Sequence, residues 1–238
     1  GELTKKIFEI FQAHRGVYGS PRIHAALAEQ GIRIGRKRVV RLMRTASVSR
    51  RIAEPIAGDE PSANPLARAA ENVLDRQFEA QQPNQKWVAD VTYIATASGW
   101  LSPFRGFDLF SRRVVGWARA STFDSALVEQ ALSMALTQRK PQRVDCTTQT
   151  VGVSIPAKQA QSFLKKQGIQ VSMSRKGNCW DNAVMERFFG TLKREVLLES
   201  MRKTHEEART TIFESIEAFY NRVRKHSTLG DLSPVHFE

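Results

Sequence analysis

The sequence predicts an α/β fold preceded by a small all-α helix-turn-helix domain. From residue 87 onwards, β-branched and aromatic runs alternate with amphipathic helical periods, the pattern of a mixed sheet with flanking helices. Residues 1–48 show helical periods and no strand signal. Between these parts, residues 49–84 contain several prolines and little apolar periodicity, so we interpret them as a linker.

The first 48 residues predict two short helices, a turn and a strongly basic third helix. Residues 3–14 have helical period, and Ser20-Pro21 begins a second helix that ends at Gly31. The third helix begins at Arg36 and carries a run of cations: Arg36, Lys37, Arg38, Arg41 and Arg44. Its place in the order is that of a recognition helix, so we expect contact with DNA. A solvated helix face is the alternative interpretation.

Residues 85–200 predict the α/β core, and residues 201–238 predict a helical, basic C-terminal tail. Three strands are expected between residues 87 and 120, because β-branched runs are interrupted there by turn residues. The later periodicity predicts further elements, with helices at 125–139, 157–167 and 181–198 and a short strand at 169–173.

The charge of the chain points to a polyanionic partner. Lysine and arginine total 36 against 24 acidic residues, which gives a net charge of +12. Nucleic acid is the first expectation, and a basic protein with a solvated surface is the alternative. The two cysteines, Cys146 and Cys179, form no CxxC pair, so neither a zinc site nor a disulfide framework is expected. The sequence has no long apolar run and no signal-peptide pattern, which favours a cytoplasmic protein without a membrane partner.

Asp90 is a candidate metal ligand because it lies inside an apolar strand. A buried carboxylate without a partner is costly, so it requires a hydrogen-bonding cage, a cation or a metal ion. The ordinary alternative is an aspartate that accepts backbone N–H groups at a strand end.

Glu186 is the second candidate, one turn into the long helix. A helical glutamate is usually solvated, but this one stands among cations: Arg175, Lys176, Arg187, Lys193 and Arg194. An acid among cations, together with an acid on a strand, suits a divalent ion held against phosphate groups.

Four long motifs resemble the integrase-type transposases of bacterial insertion sequences. They are WVADVTY at 87–93, DLFSRRVVGW at 108–117, SMSRKGNCWDNAVMERFF at 172–189 and YNRVRKHSTLGDLSP at 220–234. The resemblance covers nearly the whole chain. It implies a ribonuclease-H-like integrase core with a mixed five-stranded sheet. It also implies an Asp-Asp-Glu triad with two Mg²⁺ or Mn²⁺ ions, in which Asp90 and Glu186 are the first and last members.

The second acid of the implied triad is missing. Members of the family keep 35 residues between the second aspartate and the glutamate. Counted back from Glu186, this spacing falls on Thr150. A threonine hydroxyl carries no charge and is a poor ligand for a hard divalent cation. Asp145 is nearby in the sequence, but it lies five residues upstream and is expected to point from the wrong part of its strand.

Compensating shifts of reading frame explain the departure. Synonymous codons for residues 147–157, read one base earlier, encode His-His-Thr-Asp-Arg-Gly-Gly-Gln-Tyr-Thr-Gly, which is the family's phrase with its aspartate. Codons for residues 104–107, read one base later, encode Phe-Val-Val-Leu, the apolar strand that the family has before Asp108. The segment Arg105-Gly106 is otherwise unusual inside a central strand.

Three hypotheses for function follow. The first is a DNA transposase that cleaves element ends and transfers strands, acts as a homo-oligomer on element and target DNA, and is impaired by the loss at Thr150. The second is a non-catalytic DNA-binding relic of such a transposase. The third, a ribonuclease-H-like nuclease with another substrate, is disfavoured by the helix-turn-helix and by the motif at 220–234.

Overall fold

The computed structural model describes residues 1–49, 71–92, 94–120, 125–141, 144, 146–149, 157–175, 178–200 and 204–238. It begins with three helices: α1 (Glu2–Ala13), α2 (Ser20–Glu29) and α3 (Arg36–Thr45). Their apolar faces meet in one cluster that contains Ile7, Ile23 and Val39. The chain turns between α2 and α3 at Gly31, whose φ of 77° is easily reached without a Cβ atom.

A mixed sheet follows the N-terminal helices. Its strands are β1 (Lys86–Val91), β2 (Ile94–Thr96), β3 (Gly99–Asp108), β4 (Val114–Ala120), β5 (Cys146–Gln149) and β6 (Val171–Met173). Strands β1 to β4 pair antiparallel through β3, whereas β5 is parallel to β1 and β6 is parallel to β5. The described residues thus form six strands where five were expected, because the short β2 makes a separate hairpin with residues 99–101 of β3.

The two faces of the sheet are covered by different helices. Helices α4 (Ser125–Arg139) and α5 (Ala157–Lys166) cover one face, where Trp87 and Ala89 of β1 point. Helix α6 (Ala183–Ser200) covers the other face, where Val88 points. This division follows from the alternation of side chains along a strand.

Gly116 of β4 allows α4 to lie unusually close to the sheet. A Cβ atom built there would overlap the carbonyl oxygen of Ala131 and stand 2.7 Å from the Cβ of Ala135. Any larger residue would therefore push the helix away from the strand.

The C-terminal segment returns to join the N-terminal helices to the core. Helix α7 (His205–Phe213) runs into a π-helix (Glu214–Tyr220), and a 3₁₀ turn (Ser227–Leu229) and the short α8 (Pro234–Phe237) follow. Phe219 packs in the N-terminal cluster, while Tyr220 packs beneath α6. The Tyr18 hydroxyl accepts a hydrogen bond from the Lys225 backbone N–H over 3.0 Å.

Residues 71–84 are the described part of the segment that the sequence predicts as a linker, and they pack on the core. Leu74 is buried in the cluster beneath α6. Its backbone N–H donates to the Ser172 hydroxyl of β6 over 2.9 Å. Among the described helices, none is both long and apolar enough to cross a membrane.

Candidate functional site

Asp90 lies on β1 and points to the sheet face that α6 covers. It is half-buried, and its Oδ2 accepts a 2.7 Å hydrogen bond from the side-chain amide of Asn182. Its Oδ1 accepts from the backbone N–H of Val91 over 2.8 Å. Asp90 is therefore held by donors and is neither a solvated acid nor part of the apolar core.

Glu186 is exposed in the first turn of α6, four residues after Asn182. Asn182 closes a 3₁₀ turn (Cys179–Asn182) that leads directly into α6. Asn182 itself is buried, and it directly precedes the first residue of α6. Asn182 thus links the strand that carries Asp90 to the helix that carries Glu186.

Asp181 anchors the turn that places Asn182. Its buried carboxylate accepts a hydrogen bond from Arg76 Nε over 2.8 Å and one from Asn72 Nδ2 over 2.8 Å. The Arg175 backbone N–H donates to the same carboxylate over 3.0 Å. Burial opposes ionisation, but these hydrogen bonds and the two arginine charges hold the pKa of Asp181 below its usual range.

Arg105 lies directly opposite Asp90 in the pairing of β1 with β3. Facing residues of antiparallel strands point to the same side, and the guanidinium of Arg105 stands 5.7 Å over the ring of Phe189 in α6. It is fully buried, and none of its three side-chain nitrogen atoms has a hydrogen-bond partner in the described chain. Burial lowers its pKa from the usual arginine range to about 9.

Comparison with known proteins identifies the family of this chain. A family model described as an integrase core domain matches residues 80–179, a second integrase core model matches residues 167–234, and a helix-turn-helix-like model matches residues 1–53. The transposase of insertion element IS904 from Lactococcus lactis is 36% identical over 99% of this chain and 93% of its own length. The chain belongs to the integrase-core transposases of bacterial insertion sequences.

Other relatives agree with this family. The transposase InsF of IS3A from Escherichia coli is 37% identical over 98% of this chain and 80% of its own length. A chain of the simian T-cell lymphotropic virus intasome, solved in complex with PP2A regulatory subunit B56 gamma, has a similar fold. It matches with a TM-score of 0.56 and 14% identity over 90% of this chain and 69% of its own. The HTLV-2 integrase core solved with magnesium gives a TM-score of 0.50 and 17% identity over 67% of this chain and 98% of its own.

The position at which the sequence predicts the second acid, Thr150, lies outside the described residues. Strand β5 is parallel to β1, with Gln149 paired to Ala89, and Thr150 comes next in the sequence. Thr150, Asp145 and Lys176 all lie outside the described part of the chain. Within the described part, no group of three or more histidine, cysteine or acidic residues is placed to hold a metal ion.

The basic residues expected to bind DNA lie on two surfaces. All five cations of α3 are exposed, and none forms an ion pair within the described chain. On α6, Arg187 and Arg194 are exposed and Lys193 is half-buried. Glu186 and Lys193 are seven residues apart and therefore lie on one face of α6.

The sequence motif at 172–189 contains Asp181 and Asn182 but assigns them no role. Their roles depend on hydrogen bonds to residues about 90 and 105 positions away in the chain, which helical or strand period does not reveal. The one local signal is the polar pair Asp181-Asn182 at the start of an apolar helix, where such residues commonly organise the first turn.

Proposed function

We propose that this chain is a DNA strand transferase for an insertion element. It would hydrolyse the phosphodiester at the element end, and the freed 3′ hydroxyl would then attack a phosphodiester of target DNA. The observation that carries this proposal is the hydrogen bond by which Asn182 joins Asp90 of β1 to the helix of Glu186, within an integrase-core transposase.

The donor set fits a hard divalent cation in its chemistry. Asp90 and Glu186 offer carboxylate oxygen atoms, which Mg²⁺ and Mn²⁺ prefer, and cationic α6 residues flank them. We propose that these two carboxylates hold the ion, or one of a pair. When bound, it would activate the attacking oxygen and stabilise the leaving oxygen. Asn182 would orient Asp90 for this task, because a ligand fixed by a hydrogen bond loses less freedom on binding.

The chain as it stands is proposed to be impaired in catalysis. A pair of divalent ions needs a third carboxylate to bridge or orient them, and Thr150 supplies no charge. Arg105 is fully buried and its guanidinium has no hydrogen-bond partner in the described chain, which supports the second, compensating shift at 104–107, because that shift replaces Arg105 with valine in β3. If the unmodified chain is active, Asp145 or another group would have to supply the missing ligand.

DNA binding is proposed to begin at α3 and to continue over the core. The exposed Arg36, Lys37, Arg38, Arg41 and Arg44 would contact the element end, and Lys176, Arg187, Lys193 and Arg194 would contact phosphates near the carboxylates. Solved structures of similar fold include an intasome and a dimeric integrase core, so we propose a homo-oligomer on DNA. Because the relatives are bacterial, we place it on nucleoid DNA in the cytoplasm.

A second candidate is a DNA-binding relic without catalysis, and Thr150 favours it. The same protein would still occupy element ends and could hinder an active copy. The two candidates differ in whether repair of the chain restores chemistry, not in whether the chain binds DNA.

A strand-transfer assay on the repaired chain tests the proposal. The repaired chain carries the shifted-frame peptide at 147–155 and Val-Val-Leu at 105–107, and its substrate is a labelled duplex that carries the element end. With Mg²⁺ it should join the labelled strand to target DNA, and Glu186→Gln should abolish the product while DNA binding persists. Equal activity in the Glu186→Gln variant would overturn the assignment of the site.

A further inference from the structure

A strongly cationic cleft lies where α2, α6, the β3–β4 turn and the C-terminal segment meet. Its volume is about 500 Å³. Five arginines line it, Arg22, Arg112, Arg187, Arg194 and Arg224, against the single acid Glu195. It contains several polar residues of the 220–234 motif, which the catalytic proposal leaves without a role.

Part of this charge is already used within the protein. Arg224 holds Glu195 through two hydrogen bonds, from Nε over 2.9 Å and from the second terminal nitrogen over 2.8 Å. Arg22 stands 3.9 Å from the same carboxylate, and Arg194 Nε donates to the carbonyl of Gly190 over 2.7 Å. The single negative charge of Glu195 is shared by Arg224 and Arg22, so no acid of the lining neutralises the other three arginines.

Arg112 and Arg187 are the two arginines of the cleft whose side chains are not engaged by groups of the described chain. Neither forms a hydrogen bond or ion pair within the described chain, and Arg112 is half-buried. Burial and the like charge of Arg187 lower the pKa of Arg112, and the raising effects of Tyr220 and Asp108 do not compensate. Two neighbouring guanidinium groups that repel each other gain most from one shared anion.

The turn that carries Arg112 is built to hold it in this place. Arg112 has a φ of 60°, an unfavourable value for a residue with a Cβ atom. Buried Asp108 fixes the turn by accepting from the backbone N–H groups of Phe110, over 2.8 Å, and Ser111, over 3.2 Å. Such a backbone conformation persists only where the surroundings impose it, and it is concentrated at binding sites.

The cleft favours phosphate among anions. Arginine forks match the oxygen atoms of a phosphate, and the hydroxyls of Ser227 and Thr228 in the lining are common partners of nucleic-acid backbones. His226 stays neutral, because burial and the charges of Arg224, Arg22 and Arg112 lower its pKa to about 3. Its imidazole therefore adds no further charge.

The position of the cleft favours a polymer over a free anion. Arg187 follows Glu186 directly on α6, and both Arg187 and Arg194 are exposed at the cleft. A strand that crosses α6 beside Glu186 would pass this opening. We propose that the cleft binds a backbone phosphate of DNA through Arg112 and Arg187 together, which rests on the proposed transposase function.

The test is a salt titration of DNA binding by the full chain, using a fluorescein-labelled random duplex of about 30 base pairs. The variants are Arg112→Asn, chosen because asparagine tolerates positive φ, Arg187→Gln, and the two combined. The matched control is Lys165→Gln, an exposed cation on α5 at the opposite sheet face. Circular dichroism melting verifies that each variant is folded.

Each single variant should weaken binding about tenfold at low salt, the loss expected for a charged hydrogen bond. The slope of log affinity against log salt should fall by about 0.9, one phosphate, both in the single variants and in the double variant. The double variant should therefore lose less affinity than the product of the single losses, because both side chains serve one phosphate.

If Arg112→Asn and Arg187→Gln have the same DNA affinity and salt slope as Lys165→Gln, the inference about the cleft is wrong, while the transposase proposal stays intact. An unmodified chain that binds the duplex weakly and without salt dependence would overturn both. If inorganic phosphate raises the melting temperature of the unmodified chain but not of the double variant, and DNA affinity is the same in both, the cleft binds a free anion and its assignment to DNA is wrong.

Discussion

The side-chain amide of Asn182 donates to Asp90 Oδ2 over 2.7 Å, and this hydrogen bond joins β1 to the start of α6. We expect Asn182→Ala in the repaired chain to lower Mn²⁺ affinity and strand-transfer rate about 10- to 100-fold, the usual cost of losing a residue that orients a metal ligand. Titration of Mn²⁺ by electron paramagnetic resonance measures the affinity. Gln167→Ala, which removes an exposed amide elsewhere, is the control and should change neither quantity.

The same hydrogen bond marks the limit of what the sequence predicts. The bounds of α3 and α4 follow from local period, and the apolar run around Trp87, Val88 and Ala89 indicates a buried strand. The partner of Asp90 does not follow, because a hydrogen bond between residues 92 positions apart leaves no periodic trace.

The segment at 71–84 shows a second limit. Its weak periodicity is typical of a linker, yet Leu74 is buried beneath α6 and Arg76 binds Asp181. An irregular segment can contribute single anchoring residues to a core, and single residues have no period. Arg105 is the opposite case, since it is unusual for a central strand by sequence alone, and the structure buries it with no hydrogen-bond partner in the described chain.

Replacing Arg105 should stabilise the protein. Arg105→Val removes a buried guanidinium without a partner in the described chain, and we expect it to raise the free energy of unfolding by more than about 2 kcal/mol. Urea unfolding followed by circular dichroism at neutral pH measures the difference. An unchanged or lowered value would show that the guanidinium is well accommodated in β3.

Arg105 should also make stability depend on alkaline pH. Its folded-state pKa of about 9 lies well below the usual arginine range. The charged, buried form therefore destabilises the fold below pH 9, and this penalty is relieved as the pH rises through that value. Between about pH 8 and pH 10.5, the unmodified chain should gain up to about 2 kcal/mol relative to Arg105→Val. If the difference in unfolding free energy between the unmodified chain and Arg105→Val is the same at both pH values, Arg105 does not titrate in this range.

Gly116 should tolerate no side chain. Gly116→Ala places a Cβ atom against the Ala131 carbonyl oxygen, closer than van der Waals radii allow, so α4 must move. We expect a loss of about 1–3 kcal/mol in unfolding free energy, measured by urea denaturation. Gly106→Ala is the matched control, because its Cβ atom would meet nothing closer than 3.7 Å. Equal losses in both variants would indicate that strand glycine itself, rather than helix approach, determines the cost.

Binding of DNA by α3 should depend on its exposed arginines. Arg38→Ala or Arg41→Ala should weaken binding to the element end and reduce the salt slope by about 0.9 for each phosphate that is no longer neutralised. Lys166→Ala on α5, also exposed, is the control. The melting temperature should stay unchanged, because neither arginine forms an ion pair within the described chain. Unaltered binding in both arginine variants would place the DNA interface elsewhere.

Impaired catalysis is best tested by strand transfer with Mg²⁺, with the unmodified chain and the repaired chain measured side by side on the same labelled element end. We predict joined product from the repaired chain and little or none from the unmodified chain, at equal DNA occupancy. Robust product from the unmodified chain, abolished by Asp145→Asn, would contradict the assignment of Thr150 as the position of a missing ligand.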